Sequence, residues 1–277
     1  LTIHHIVCDG WSLNQLINDL TTIYKQIKNN NYQFKKPYDL EKIKAPKTKS
    51  DSLLFWKNEI NSLSQISPFT LPTDYERPLF RTFESERLDI KVSAELVKKI
   101  RNYLGQYQTS LYAFMCATFK LALFEHAQNK NVCIGVTIAA QMNNESIAKI
   151  IGHHVNILPI KSLIDTNLAL SQYFTDFKNQ FEQVIKHSDC TFNELVKMMK
   201  SGQRSPGISP LISIVFNIDQ IWNEEQNTFS NSTFSIDTVA RKYENFEMFV
   251  NMKVRGTKSI TFEIQYNSNL FNQNKVE

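Results

Sequence analysis

The segment His4-His5-Ile6-Val7-Cys8-Asp9-Gly10 constrains this chain more than any other stretch. Leu1 to Val7 is apolar and β-branched, which predicts a strand. Asp9-Gly10 is a turn signal. Ser12 then stands as an N-cap, with Gln15 completing a capping box and Trp11 and Leu16 placed as a hydrophobic staple. Leu13, Leu16, Ile17, Leu20, Ile23, Tyr24 and Ile27 recur at helical spacing. The predicted unit is a strand, a tight turn and an amphipathic helix. A strand needs paired neighbours, and the chain starts Leu1-Thr2-Ile3 without a methionine. The sequence therefore reads as a fragment lacking the upstream part of its first lobe. Its first strand would present an open edge, and the fragment would be poorly stable alone.

The rest alternates between helices and strands. Asp51 to Leu63 predicts a short helix carrying Phe55 and Trp56, and residues 64–82, with Pro68, Pro72 and Pro78, a crossing between lobes. Glu86 to Val92 alternates as a strand. Ser93 caps a helix with Leu96, Val97, Ile100 and Leu104 inward, and Ser110 to Gln128 forms a more buried one. Strands follow at Val132 to Ala139 and Val155 to Ile160, then helices at Leu168 to Lys186 and Thr191 to Lys200. Leu211 to Ile218 is a buried strand, and Thr233 to Val239 alternates. Phe246 to Val254 and Ser259 to Tyr266 are joined by Arg255-Gly256-Thr257-Lys258, short enough for an antiparallel hairpin. The class is α+β, with mixed sheets and helices packed on them.

Composition narrows function. Hydrophobic residues at 42% and aromatics at 12% supply a packed core, which excludes a disordered chain. The net charge of +4 is spread out; the densest run, Lys42 to Lys49, reads as a solvated linker rather than a nucleic-acid patch. Cys8, Cys116, Cys133 and Cys190 form no CxxC pair, and a reducing compartment, the cytoplasm, fits them. No apolar run reaches the ~18 residues that span a bilayer, so no membrane role is expected.

On a strand, His4 and His5 point to opposite faces, so they cannot serve one metal ion together. A single histidine can act as a general base or positioner, because its ordinary pKa of ~6.5 lies near working pH. Two satisfied core histidines would look the same, and spacing does not separate the two readings. Asp9 is read as structural, a carboxylate at a turn that can pair with a buried arginine. Gly10 allows positive φ or close approach of a substrate.

HHIVCDGWS resembles the HHxxxDG motif of nonribosomal peptide synthetase condensation domains, which also occurs in a wider family of CoA- and carrier-dependent acyltransferases and in epimerization domains. Further segments match in order. Leu71-Pro72-Thr73-Asp74 with Arg77-Pro78 resembles the family's LPTDRPRP crossing, and residues 151–161 its GxFVNTLPLR segment. Residues 187–193 resemble HQDxPFE, residues 204–211 RDxSRNPL, and Tyr266-Asn267 with Leu270-Phe271 the closing YNTDLF. Three departures stand out. Gln141 ends a segment that in the family commonly ends in Arg. His153 and His154 replace an aromatic pair. The RDxSR segment keeps only Arg204 and the Pro210-Leu211 pair.

The resemblance implies a chloramphenicol-acetyltransferase-like fold of two lobes, with residues 1–75 in the first and 76–277 in the second. It implies amide formation between aminoacyl or peptidyl thioesters held on the phosphopantetheine arms of donor and acceptor peptidyl carrier proteins, beside an adenylation domain. No cofactor or metal is bound directly. His5 would be catalytic, with His4, Asp9 and Gly10 as motif residues. Trp11, Ser12 and Asn156 are tunnel candidates, Asn156 being equally readable as a strand-edge polar residue. The fragment alone would be inactive. Competing expectations are an epimerization domain, a stand-alone acyltransferase and a non-catalytic docking platform.

Overall fold

The computed structural model describes residues 3–33, 48–63, 69–143, 147–199, 206–221, 238–256 and 259–277. Leu1-Thr2, most of the Lys42 to Lys49 run, Arg204 and most of the Thr233 to Val239 stretch lie outside these residues. Among the described residues no helix is long and apolar enough to cross a membrane.

The α+β class is as expected, and among the described residues one mixed six-stranded sheet organises the chain. Its strands are β1 (Ser85–Lys91), β2 (Asn131–Ala139), β3 (Val155–Leu163), β4 (Ile214–Ile221), β5 (Met248–Arg255) and β6 (Ser259–Asn267), in the order β1-β6-β5-β4-β2-β3. The β2–β4 and β4–β5 pairs are parallel and the others antiparallel. The expected hairpin is present, with Arg255 opposite Ser259.

The helices are α1 (Gly10–Lys28), α2 (Ser50–Leu63), α3 (Ala94–Tyr107), α4 (Leu111–Ala127), α5 (Leu170–Lys186), α6 (Phe192–Met198) and a last turn α7 (Gln273–Val276). Ser93 and Ser110 cap α3 and α4 by accepting from Leu96 and Ala113 N–H. Thr191 and Glu194 form a capping box on α6. Leu96 does not face inward; it is exposed, and Val97 carries the α3 contact. Helices α4 and α5 pack on each other and on β2 and β3. The apolar side of the sheet beneath them, including Ile134, Val136, Phe216, Val250 and Met252, is buried.

The other side of the sheet is polar. The register sets Asn217 beside Asn251, and Asn251 beside Glu263. Asn217 and Asn251 both donate to Asp219, at 3.2 and 2.9 Å, and Asn251 also to Glu263 at 3.1 Å. Lys253 meets Glu263 at 3.4 Å. Buried polar groups of this kind persist because they are hydrogen-bonded. The crossing segment also meets the closing segment. Asp74 N–H donates to Leu270 carbonyl and its carboxylate accepts from Asn272 N–H. Arg77 forms a bidentate pair with Glu247 at 2.6 and 3.1 Å.

The start of the chain departs from expectation. Residues 5–7 form one turn of 3-10 helix, not a strand. Among the described residues no strand pairs with Ile3 to Val7. The backbone closes its hydrogen bonds locally instead: Val7 N–H to His4 carbonyl, Cys8 N–H to His5 carbonyl, and Ile6 N–H to His4 Nδ1. The open strand edge expected there is therefore absent, and Ile6 and Val7 are exposed.

Candidate active site

The N-cap of α1 is Asp9, not Ser12. Both residues suit the role, and they stand three positions apart. Asp9 Oδ1 accepts from Ser12 N–H at 2.8 Å. Its Oδ2 accepts from His154 N–H at 2.9 Å and from Gln141 Nε2 at 3.1 Å. Ser12 sits inside the first turn, fully buried, and its hydroxyl both donates to Gly152 carbonyl and accepts from Gly152 N–H. The Ser12–Gln15 capping box does not form, and Gln15 bonds Asp19 instead. Asp9 N–H adds a bond to Gly152 carbonyl, and Trp11 Nε1 one to Ala148 carbonyl at 2.8 Å. The turn ahead of β3 is thus fastened to the start of α1 at five points.

Asp9 is 2% exposed, and no arginine approaches it among the described residues. The expected ion pair is replaced by a neutral amide at Gln141, the position where the resemblance leads one to expect Arg. Burial alone would raise the Asp9 pKa. The N–H groups of His154 and Ser12 and the Gln141 amide outweigh it, and hold the carboxyl below its ordinary value. Gln141 must point Nε2 at the carboxylate, since the flipped amide would set oxygen against oxygen. Its buried Oε1 has no partner among the described residues.

This geometry predicts that Gln141→Ala costs about 1–2 kcal/mol, the cost of unpairing a buried group. Gln141→Glu should cost more at pH 7, because two carboxylates then share one site and one must hold a proton. Urea midpoints at pH 7 and pH 5 check this: the Glu variant recovers on acidification and the Ala variant does not.

Gly10 opens α1 with helical backbone; among the described residues the glycine with positive φ is Gly256. Positive φ is therefore not what position 10 requires. A Cβ there would lie 3.3 Å from Asp219 Oδ1, so glycine lets that β4 carboxylate approach the α1 N-terminus, where the helix dipole favours it.

His4 and His5 are both exposed, and with no strand beneath them the opposite-face argument lapses. His4 accepts from Ile6 N–H and caps the 3-10 turn. His5 Nδ1 lies 3.0 Å from Cys8 carbonyl. A carbonyl only accepts, so Nδ1 carries the hydrogen and Nε2 keeps its lone pair in the neutral ring. That is the form a general base needs.

Asn156, on β3, is engaged on both sides of its amide. Its Nδ2 donates to Ser188 and Cys190 carbonyls at 3.1 and 2.7 Å, and Oδ1 accepts from Phe192 N–H at 3.2 Å. It ties β3 to the segment 187–193. Trp11 is half-buried, and Ser12 has no exposed surface to offer. Sequence reasoning missed Gly152, Asp219 and the backbone of His154 as parts of the site, and noted Gln141 only as a departure. Among the described residues no group of His, Cys, Asp and Glu side chains is arranged to hold a metal ion.

Comparison with known proteins agrees with this architecture. The family model "Condensation domain" matches residues 1–277. Tyrocidine synthase 3 of Brevibacillus parabrevis is 23% identical over 283 residues, covering 100% of this chain and 4% of the relative. Surfactin synthase subunit 2 of Bacillus subtilis (strain 168) is 24% identical over 225 residues, covering 80% of this chain and 6% of the relative. The chain thus spans a small fraction of the curated relatives it matches. Among solved structures, a four-domain nonribosomal peptide synthetase bound to AMP and glycine superposes with a TM-score of 0.77 at 22% identity, over 99% of this chain and 22% of the other. The epimerization domain of the third module of tyrocidine synthetase B superposes at 0.74 with 16% identity, over 99% of this chain and 64% of the other. A motif turn built on His5 and Asp9, a sheet-and-helix frame shared with these structures, and a family match from the first residue to the last together show that the chain belongs to the condensation-domain family.

Proposed function

We propose that this domain joins two thioester-bound substrates through an amide bond, as part of a nonribosomal peptide synthetase. The observation that supports the reading is His5, with Nδ1 on Cys8 carbonyl and Nε2 without a partner among the described residues, four positions before the buried Asp9 clamp. The donor acyl group and the acceptor amine arrive on the phosphopantetheine arms of two peptidyl carrier proteins, one of them loaded by an adjacent adenylation domain. The amine nitrogen attacks the thioester carbonyl and a C–N bond forms. His5 Nε2 orients the amine or takes its proton. The C–S bond breaks, and the departing sulfur of the donor arm takes up a proton. A thioester is already activated, so positioning supplies much of the acceleration.

Asp9 and Gly10 hold the turn. Residues 1–75 belong to the first lobe and 76–277 to the second, with the substrates between them. The four free, buried thiols support work in the cytoplasm.

The test is His5→Ala in the full synthetase with both carriers loaded. Dipeptidyl thioester should fall at least about 100-fold, the lower range for removing a general base. Undiminished product overturns the reading. Because an epimerization domain shares the fold, the assay also resolves stereochemistry: a D-configured residue appearing on a single carrier, with no amide made, would replace condensation by epimerization.

A further inference from the structure

His153 was not among the residues expected to serve the site, yet both of its chain neighbours are fastened to the start of α1. The residue before it, Gly152, bonds through its carbonyl to Asp9 N–H and the Ser12 hydroxyl, and through its N–H to the same hydroxyl, at 3.1, 2.8 and 3.0 Å. The residue after it, His154, bonds through its N–H to Asp9 Oδ2 at 2.9 Å. A Cβ on Gly152 would sit 2.5 Å from His154 Nε2, so the His154 ring would have to turn aside. The backbone of His153 is therefore held on both flanks against the start of α1.

From there its ring falls on His5. The two ring centroids are 4.9 Å apart with planes inclined by 56°. An exposed imidazole on a single 3-10 turn has several staggered rotamers open to it. One hydrogen bond, from Nδ1 to Cys8 carbonyl, is weak restraint for a ring in water. The His153 ring, itself exposed, supplies the second contact on the His5 ring.

Resting on the reading of His5 as the reacting imidazole, we propose that His153 is its positioning residue, acting by ring packing to keep Nε2 aimed at the substrate amine. The role needs a flat ring at position 153 and does not need its nitrogens. Reacting groups tolerate little misplacement, so the effect belongs to kcat and not to substrate capture.

The test uses the full synthetase with loaded carriers and compares His153→Ala, His153→Phe, His5→Ala and the double variant His5→Ala/His153→Ala. With His153→Ala, kcat should fall about tenfold while KM for the acceptor-loaded carrier stays put. His153→Phe should return kcat to within about threefold of wild type, with an unchanged pH–rate profile, because an aromatic ring again packs on His5. The double variant should be no slower than His5→Ala. Thermal melts accompany each variant, and His153→Ser is read in place of His153→Ala should alanine lower the soluble yield. Wild-type kcat in the ring-less variant, a loss confined to KM, or a Phe variant as slow as the Ala variant each overturns the proposal. If His5→Ala keeps full activity, the functional reading fails instead; if His5→Ala is dead and His153→Ala is normal, the positioning role alone fails.

Discussion

Asp9→Ala should destabilise the domain by about 4 kcal/mol at pH 7, a large part of the ~5–15 kcal/mol that holds a typical domain together. Loss of the α1 N-cap accounts for about 1 kcal/mol. Ser12, His154 and Gln141 lose the acceptor their N–H groups share, and each unpaired buried donor costs about 1–3 kcal/mol, less than additively because they meet at one carboxylate. Asp9→Asn separates charge from shape. Its Oδ1 still caps Ser12 N–H, but its NH2 faces two other donors. The carboxyl pKa is lower folded than unfolded, so its contribution is complete above about pH 4–5 and is lost as pH falls through the folded value. Urea unfolding of wild type and Asp9→Asn from pH 7 to pH 3 should show the two curves converging at the acid end. A gap that stays constant with pH would mean that the charge on Asp9 does nothing.

How much of this was legible in the sequence depends on how local each feature is. Ser93 sits directly before an apolar helical run and caps it as expected; Ser110 and Thr191, read only as the first residues of their helices, prove to be the caps of theirs. The hairpin around Gly256 was equally local. The first turn of α1 was not. Asp9 and Ser12 are both good caps, and what chooses between them is 132 to 145 residues away: Gln141 and His154 claim the Asp9 carboxylate, and Gly152 claims the Ser12 hydroxyl. No local pattern carries that information.

The strand at Leu1 to Val7 failed for a related reason. β-branched residues favour a strand only where a neighbouring strand offers its hydrogen bonds, and Ile3 to Val7 have none among the described residues. Periodicity likewise announced α1 but not its cover: Leu20, Ile23, Tyr24 and Ile27 keep helical spacing and are exposed. For the site, the ordered motifs singled out His5, Asp9 and Asn156 as candidates. Only the three-dimensional arrangement could show that Gln141, noted in the sequence just as a departure from a family Arg, meets Asp9, or that His153 touches His5.

Trp56→Ala should produce a loss of similar size, about 3–5 kcal/mol, far from the histidine turn. Trp56 is 1% exposed, on the face of α2 that joins the main core with Ile60 and Phe69. Truncation to alanine removes most of an indole and leaves a cavity that the close-packed sheet and helices cannot fill. It also removes the Nε1 bond to His187 carbonyl, 2.8 Å and buried, and so unpairs an acceptor. The neighbouring contacts cannot compensate. Phe55 stacks on the His187 ring at 4.4 Å, and the Ser52 hydroxyl bridges His187 and Asp189, so α2 is held to the end of α5 by one cluster that Trp56 underlies. Trp56→Phe divides the two contributions: it keeps much of the volume and loses the hydrogen bond, and should cost about 1–2 kcal/mol. The measurement is chemical denaturation of both variants followed by circular dichroism. A Trp56→Ala cost below about 1 kcal/mol would mean that α2 rests on the surface and is no part of the core. Because Asn156 donates to Ser188 and Cys190 in that same segment, loosening it should also lower hydrogen-exchange protection at the start of α6, while the Asp9 clamp keeps its own.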